Sequence, residues 1–170
     1  MILIPYCFEV RYTSLRSDCI MKTYLKGNFV TLKGCYGSST HPEQEKSAWY
    51  KTIKAIHCPI LNESVIFNSK GFYHLRYDSH GKQRALTEQK YKIGLLPLVI
   101  PVIQCATSIH EYKKEQYSKP LGKYYELWEL RALVGTKNPT MISVVLRRIG
   151  TGNITFLSVW KNRQKTKNPS

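Results

Sequence analysis

Toward the C-terminus the chain shows three runs, YYELWELRALVG, MISVVLRRIG and NITFLSVWKN, rich in β-branched and aromatic residues and separated by GTKNPT and GTGN. Short apolar runs broken by turn residues at this spacing predict an antiparallel meander. Earlier, the period is helical. EQEKSAWYKTIKAI at 43 to 56 places Ala48, Trp49, Ile53 and Ile56 on one side and acids in its first turn, which predicts an amphipathic helix stopped by Pro59. SVIFN at 64 to 68 reads as a short strand, with Ser69, Lys70 and Gly71 as a turn after it. In LTEQKYKIGLLPLVIPVIQCA, at 86 to 106, Tyr91, Leu95, Leu98, Val99, Val102 and Ile103 recur at helical spacing. Thr87 is the expected cap, and Pro97 and Pro101 should kink the helix or split it in two. Residues 78 to 84 and 107 to 123 read as polar loops.

Helices followed by strands predict an α+β fold, with the N-terminal helices packed on one face of a C-terminal antiparallel sheet and the other face left for a ligand. The first forty residues fit this plan poorly. MILIPYCFEVRY and GNFVTLKGCY look like two short strands around a basic stretch, and YGSSTHPEQEK at 36 to 46 has the composition of a linker. The expected organisation is an N-terminal arm at 1–40, one domain at 43–163 and a basic tail at 164–170.

Charge sharpens the picture. The chain of 170 residues carries 26 Lys and Arg against 11 Asp and Glu, a net +15, and so favours a polyanionic partner, with RNA or DNA ahead of an anionic membrane. The longest apolar run, GLLPLVIPVI, is too short to span a bilayer, and the first residues lack the pattern of a secretory signal. A cytoplasmic protein that does not enter a membrane is expected. The five cysteines have no CxxC spacing, which indicates neither a disulfide framework nor a zinc site.

No phosphate-binding glycine loop, HExxH or GxSxG motif occurs, and the acids are scattered, so neither a cofactor nor a metal is expected. RNA cleavage can proceed without either. It needs a base for the 2′-hydroxyl, an acid for the leaving 5′-oxygen, and cations or donors on the phosphate. Of the five histidines, His74 in FNSKGFYHLRYD is the best placed: apolar residues bound it, and Lys70 and Arg76 lie nearby to hold it neutral. A packed structural histidine is the competing reading. Arg147 and Arg148 end one strand on opposite faces, so one of them should reach the open face and hold phosphate. Ser158 is a polar group inside an apolar strand, and the hairpin register decides which arginine shares its face. Tyr124, Tyr125 and Trp128 could stack bases, although Trp128 fits a core position equally well.

The order NSKGFYHL, then a basic loop, the proline-bearing IGLLPLVIPVI, and the strands YYELWEL, VVLRRIG and TFLSVW resembles the phage-type members of the barnase/EndoU/colicin/RelE (BECR) nuclease superfamily over residues 43 to 163. The resemblance implies a metal-independent endoribonuclease with His74, Arg148 or its neighbour Arg147, and Ser158 in the catalytic positions. It adds Arg84 and Lys92 as flanking cations, and leaves Lys70, Arg76 and Tyr125 as RNA contacts. Two other readings remain: a non-catalytic RNA-binding protein of the same fold, and a toxin held by an antitoxin or immunity protein.

Overall fold

The computed structural model describes residues 9–13, 18–26, 29–33, 43–53, 55–134 and 140–162, with residues before 46 described as backbone only. The tail at 164–170 and most of the GTKNPT turn lie outside the described residues.

The fold is α+β. Six strands, β4 (Ala55–Cys58), β5 (Glu63–Ile66), β6 (Ile109–Ser118), β7 (Lys123–Val134), β8 (Thr140–Ile149) and β9 (Ile154–Lys161), form a mixed sheet with four helices: α1 (Glu43–Thr52), α2 (Ser69–Arg76), α3 (Leu86–Gly94) and α4 (Leu96–Cys105). The expected meander is present, with β7, β8 and β9 antiparallel in sequence order. The sheet is mixed rather than antiparallel throughout because β5 lies parallel to β9, pairing Val65 with Ile154 and Ile66 with Thr155. Three strands from the first forty residues also join it: β1 (Glu9–Thr13), β2 (Asp18–Lys26) and β3 (Phe29–Lys33) form antiparallel pairs, and β3 runs parallel to the end of β7. They continue the same sheet instead of standing apart as an arm.

Four local expectations need correction. Helix α1 ends at Thr52, and Ile56 belongs to β4, where it faces Val65 of β5 across an antiparallel pair. Ser69, Lys70 and Gly71 form the first turn of α2 and not a free turn: Asn68 caps that helix, its Oδ1 accepting from Gly71 N at 3.1 Å. The long apolar stretch divides into α3 and α4 as the prolines imply, but α3 is entered at Ala85 without a side-chain cap, so Thr87 does not serve as one. Residues 109 to 118 form β6, an edge strand on β7, where a loop was expected. Its residues are exposed nearly throughout, so no alternation of polar and apolar positions marked it.

The core lies between α4 and the sheet. Leu96, Val99, Ile100, Val102 and Ile103 of α4 are buried with Leu130 and Ala132 of β7 and Ile142, Val144 and Leu146 of β8. The even-numbered positions of β7 and β8 thus point inward, and the odd-numbered positions point to the opposite face. A second packing centre joins the helices to β9. Tyr50, Phe67, Phe72 and Phe156 cluster with ring centroids 5.2 to 6.2 Å apart. Above them α2 comes so close to β9 that a Cβ on Gly71 would stand 2.5 Å from both Phe156 O and Tyr50 Oη.

No relief is open to a Gly71 side chain, because one obstacle is backbone and the other a buried phenol. Gly71→Ala is expected to lower stability by about 1–3 kcal/mol, read as a fall in the urea midpoint at constant slope. An unchanged midpoint would show that α2 does not sit on β9 in this way.

Candidate functional site

Helix α2 carries His74 alongside the part of β9 that runs on beyond its pairing with β5. Tyr50 Oη donates to Asn68 O at 3.0 Å and fixes the start of this helix. Its end leads into a tight excursion, 77–84, in which Asp78 Oδ1 accepts from the backbone N–H groups of His80 and Lys82 at 2.8 and 2.9 Å. Arg84 N returns to Arg76 O at 2.9 Å. Gln89 of α3, 1% exposed, locks the return: its Nε2 donates to Arg84 O at 2.7 Å and its Oε1 accepts from Arg76 Nε at 3.4 Å. Arg84 is thereby held over α2, with Nε donating to Tyr77 O at 3.2 Å and Nη1 to Glu88 Oε1 at 2.5 Å.

His74 is half-buried, and its basicity reports what surrounds it. Burial first, then the positive charges of Arg147 and Arg84, holds its pKa below the ordinary value of 6.5. The neutral imidazole is the dominant form at physiological pH, as the nearby cations implied. The charges responsible are Arg147 and Arg84, not the sequence neighbours Lys70 and Arg76.

The β8–β9 register separates the two arginines. Val145 pairs with Ser158 and Arg147 with Thr155, so Ser158 shares the face of Arg147. Between these pairs Leu157 is an extra residue, a β-bulge. Arg148 points to the other face, where it pairs with Glu63, reaches Glu126 at 3.7 Å and lies 5.4 Å from the Trp128 ring centroid. That places Arg148 in a structural network on the core side, with Trp128 buried beneath it. Arg147 has no carboxylate partner among the described residues. Its Nε is buried without a hydrogen bond, and burial lowers the pKa of its guanidinium, opposed by Tyr125 beside it. The group still stays charged, because an arginine begins far above the neutral range.

Lys92 of α3 reaches β9 from the side. Its ammonium donates to Ser158 Oγ at 3.4 Å and to Val159 O at 3.3 Å, and only 9% of the residue is exposed. Burial, and after it Arg84, lowers its pKa, while Glu88 acts in the opposite sense. Lys70 lines a hollow of about 260 Å³ with Asn68, Ser69, Arg147, Asn153 and Thr155.

The structure therefore brings His74, Arg84, Lys92, Arg147 and Ser158 into one electrostatically linked group beside β9, with Lys70 and Tyr125 next to Arg147. Arg148 stands apart on the opposite face, and Arg76 is bound to Gln89. Asn68, Asn153 and Thr155 went unnoticed in sequence because lone polar residues beside turns carry no signal. Glu129 also escaped notice, although an acid flanked by Trp128 and Leu130 was a usable sign. Protein-family models, curated proteins and solved structures contain no match to the chain.

An NMR titration of the imidazole should place the His74 transition below 6.5 and move it part of the way up in Arg147→Ala, since burial remains when the charge is gone. Protonation is resisted more in the folded chain than in the unfolded one. The stability tied to His74 is therefore present above 6.5 and is lost as pH falls through the folded value; His74→Gln should flatten that slope.

Proposed function

We propose that the chain is a metal-independent endoribonuclease. One observation carries the reading: a half-buried guanidinium, Arg147, lies close to a neutral histidine with no carboxylate partner among the described residues, on the face that also presents Ser158. A half-buried cation in that setting is relieved by an anion, and the net charge of +15 directs the choice to a polyanion. The resemblance to the BECR nucleases points the same way.

In this mechanism the scissile phosphate lies against Arg147 and Arg84, which hold its oxygens and the negative charge that grows on them. His74 takes the proton of the 2′-hydroxyl as that oxygen bonds to phosphorus. The bond from phosphorus to the 5′-oxygen breaks, and the leaving oxygen takes a proton from the Lys92 ammonium, whose lowered pKa makes it the readier donor. Ser158, held by Lys92, donates to a phosphate oxygen. The products are a 2′,3′-cyclic phosphate and a free 5′-hydroxyl.

Purified protein incubated with mixed RNA in EDTA should release 2′,3′-cyclic ends. His74→Ala should slow this about 10²- to 10⁴-fold, and Arg147→Ala about 10²-fold or more. Arg148→Ala should stay within a few-fold of wild type while melting earlier, because it strands Glu63 and Glu126. RNA binding of equal strength with no products from either wild type or His74→Ala would assign a non-catalytic RNA-binding role instead.

The pH profile supplies a second measurement. Cleavage by a neutral His74 should fail on an acid limb below 6.5, and in Arg147→Ala the residual activity should fail at higher pH than in wild type. An acid limb that ignores the Arg147 charge would remove His74 from the base role.

A further inference from the structure

The face that carries Arg147 holds a second hollow, on which the proposed chemistry makes no demand. It is a groove of about 370 Å³ crossing the strands of the meander, walled by Leu127, Val145, Leu157 and Trp160, with Ser158 and Glu129 also in its lining. Val145 is buried yet lies outside the core cluster, as a residue beneath such a groove would. At the rim Lys113 and Glu111 pair at 3.3 Å and add no net charge.

Glu129 is the anomaly, a carboxylate 7% exposed in an apolar hollow. Its Oε1 accepts from Arg131 Nε and Ser143 Oγ, both at 2.6 Å, which uses the acceptor capacity of that oxygen. Ser143 Oγ is held in turn by Asn162 Nδ2 at 2.5 Å, so the carboxylate is fixed in orientation. Oε2 has no partner among the described residues. It is not one of the fully buried atoms without a hydrogen bond, which among the described residues are the Nε atoms of Arg147 and Arg148. One oxygen of an oriented carboxylate in the lining of the groove is thus without a donor and calls for one.

The groove continues from the cationic cluster. Ser158 belongs to both, lining the groove and accepting from Lys92. Val145 and Arg147 are two residues apart on β8 and project to the same face, a separation of about 7 Å. A phosphate at Arg147 would set the attached nucleoside beside the groove. An indole, flat aliphatic walls and one oriented acceptor suit a planar ring with a polar edge.

We infer that the groove receives one nucleobase of the bound RNA, its ring against Trp160 and an N–H donor of its edge on Glu129 Oε2. The inference rests on reading the cationic cluster as an RNA phosphate site. Adenine, cytosine and guanine each offer an exocyclic amino group. Uracil offers one ring N–H set between two carbonyl oxygens, and a carboxylate facing that edge meets two acceptors for one donor. The site therefore selects amino-bearing bases against uracil.

Binding can be read without cleavage by titrating the full chain bearing His74→Ala with each nucleoside 3′-monophosphate, and with inorganic phosphate alone. The indole N–H signal of Trp160, assigned by its loss in Trp160→Phe, reports the groove. AMP, CMP and GMP should shift this signal and bind about tenfold or more tightly than UMP. Inorganic phosphate should leave it in place. In Glu129→Gln, where an amide can keep the Arg131 and Ser143 bonds through its oxygen while turning a donor to the groove, the gap should close or reverse. Val145→Phe, which fills the groove beside its cross-strand partner Glu129, should abolish the Trp160 shift while signals from α2 still respond to phosphate. Equal binding of UMP, a gap that survives Glu129→Gln, or a Trp160 signal that no nucleotide moves would overturn the inference. A chain that binds in this selective way yet leaves RNA intact overturns the nuclease reading alone, and one that cleaves RNA with no such selectivity overturns this inference alone.

Discussion

The contact between Gly71 of α2 and the carbonyl of Phe156 in β9 governs the architecture around the candidate site. A helix can lie this close to a strand only where a residue has no side chain, and the approach is sealed by the aromatic group of Tyr50, Phe67, Phe72 and Phe156. Tyr50 then ties the first turn of α2 through Asn68, and the end of α2 carries the excursion that returns Arg84. His74 stands between these two anchors. Its place beside the sheet is set by packing several residues away.

Alternation along β8 divides two adjacent arginines between opposite tasks. Arg148, facing inward, is neutralised by Glu63 and Glu126 and completes the network around Trp128. Arg147, facing outward, joins Arg84, Lys92 and His74, where like charges gather and burial weakens their screening by water. A group of this kind raises the free energy of the empty chain and is relieved by an anion. Burial first, and the neighbouring positive charge after it, loosens the proton on both Lys92 and His74, so the cluster is more ready to release protons than its composition suggests.

Much of the fold was legible from short patterns. The β7–β9 meander announced itself through β-branched runs and turn residues, and the division between α3 and α4 through Pro97. What stayed hidden has physical causes. Strand β6 is exposed nearly throughout, so it carries no alternation to detect, and α2 begins with Ser69, Lys70 and Gly71, which read more naturally as a turn than as a helix. The strands of the first forty residues depend on pairing with one another and with β7, a long-range property that local composition does not report. Within the site, His74 stood out by its apolar surroundings and Ser158 by its polarity. The choice between Arg147 and Arg148 could not be made from sequence, because it depends on which residue of β9 pairs with which residue of β8. Glu129 required knowledge of both faces of β7.

The bulge at Leu157 has a consequence for how this chain could vary in length. Ordinary strand positions tolerate neither insertion nor deletion, since a shift of one residue exchanges the two faces. Here Val145 already pairs with Ser158 and Leu146 with Phe156, so a deletion of Leu157 would close the ladder into regular pairing and leave Val159 and Phe156 on the inner side. Such an indel would be silent to the core and felt only in the groove, making β9 a place where lineages could gain or lose a wall of the pocket without refolding the sheet.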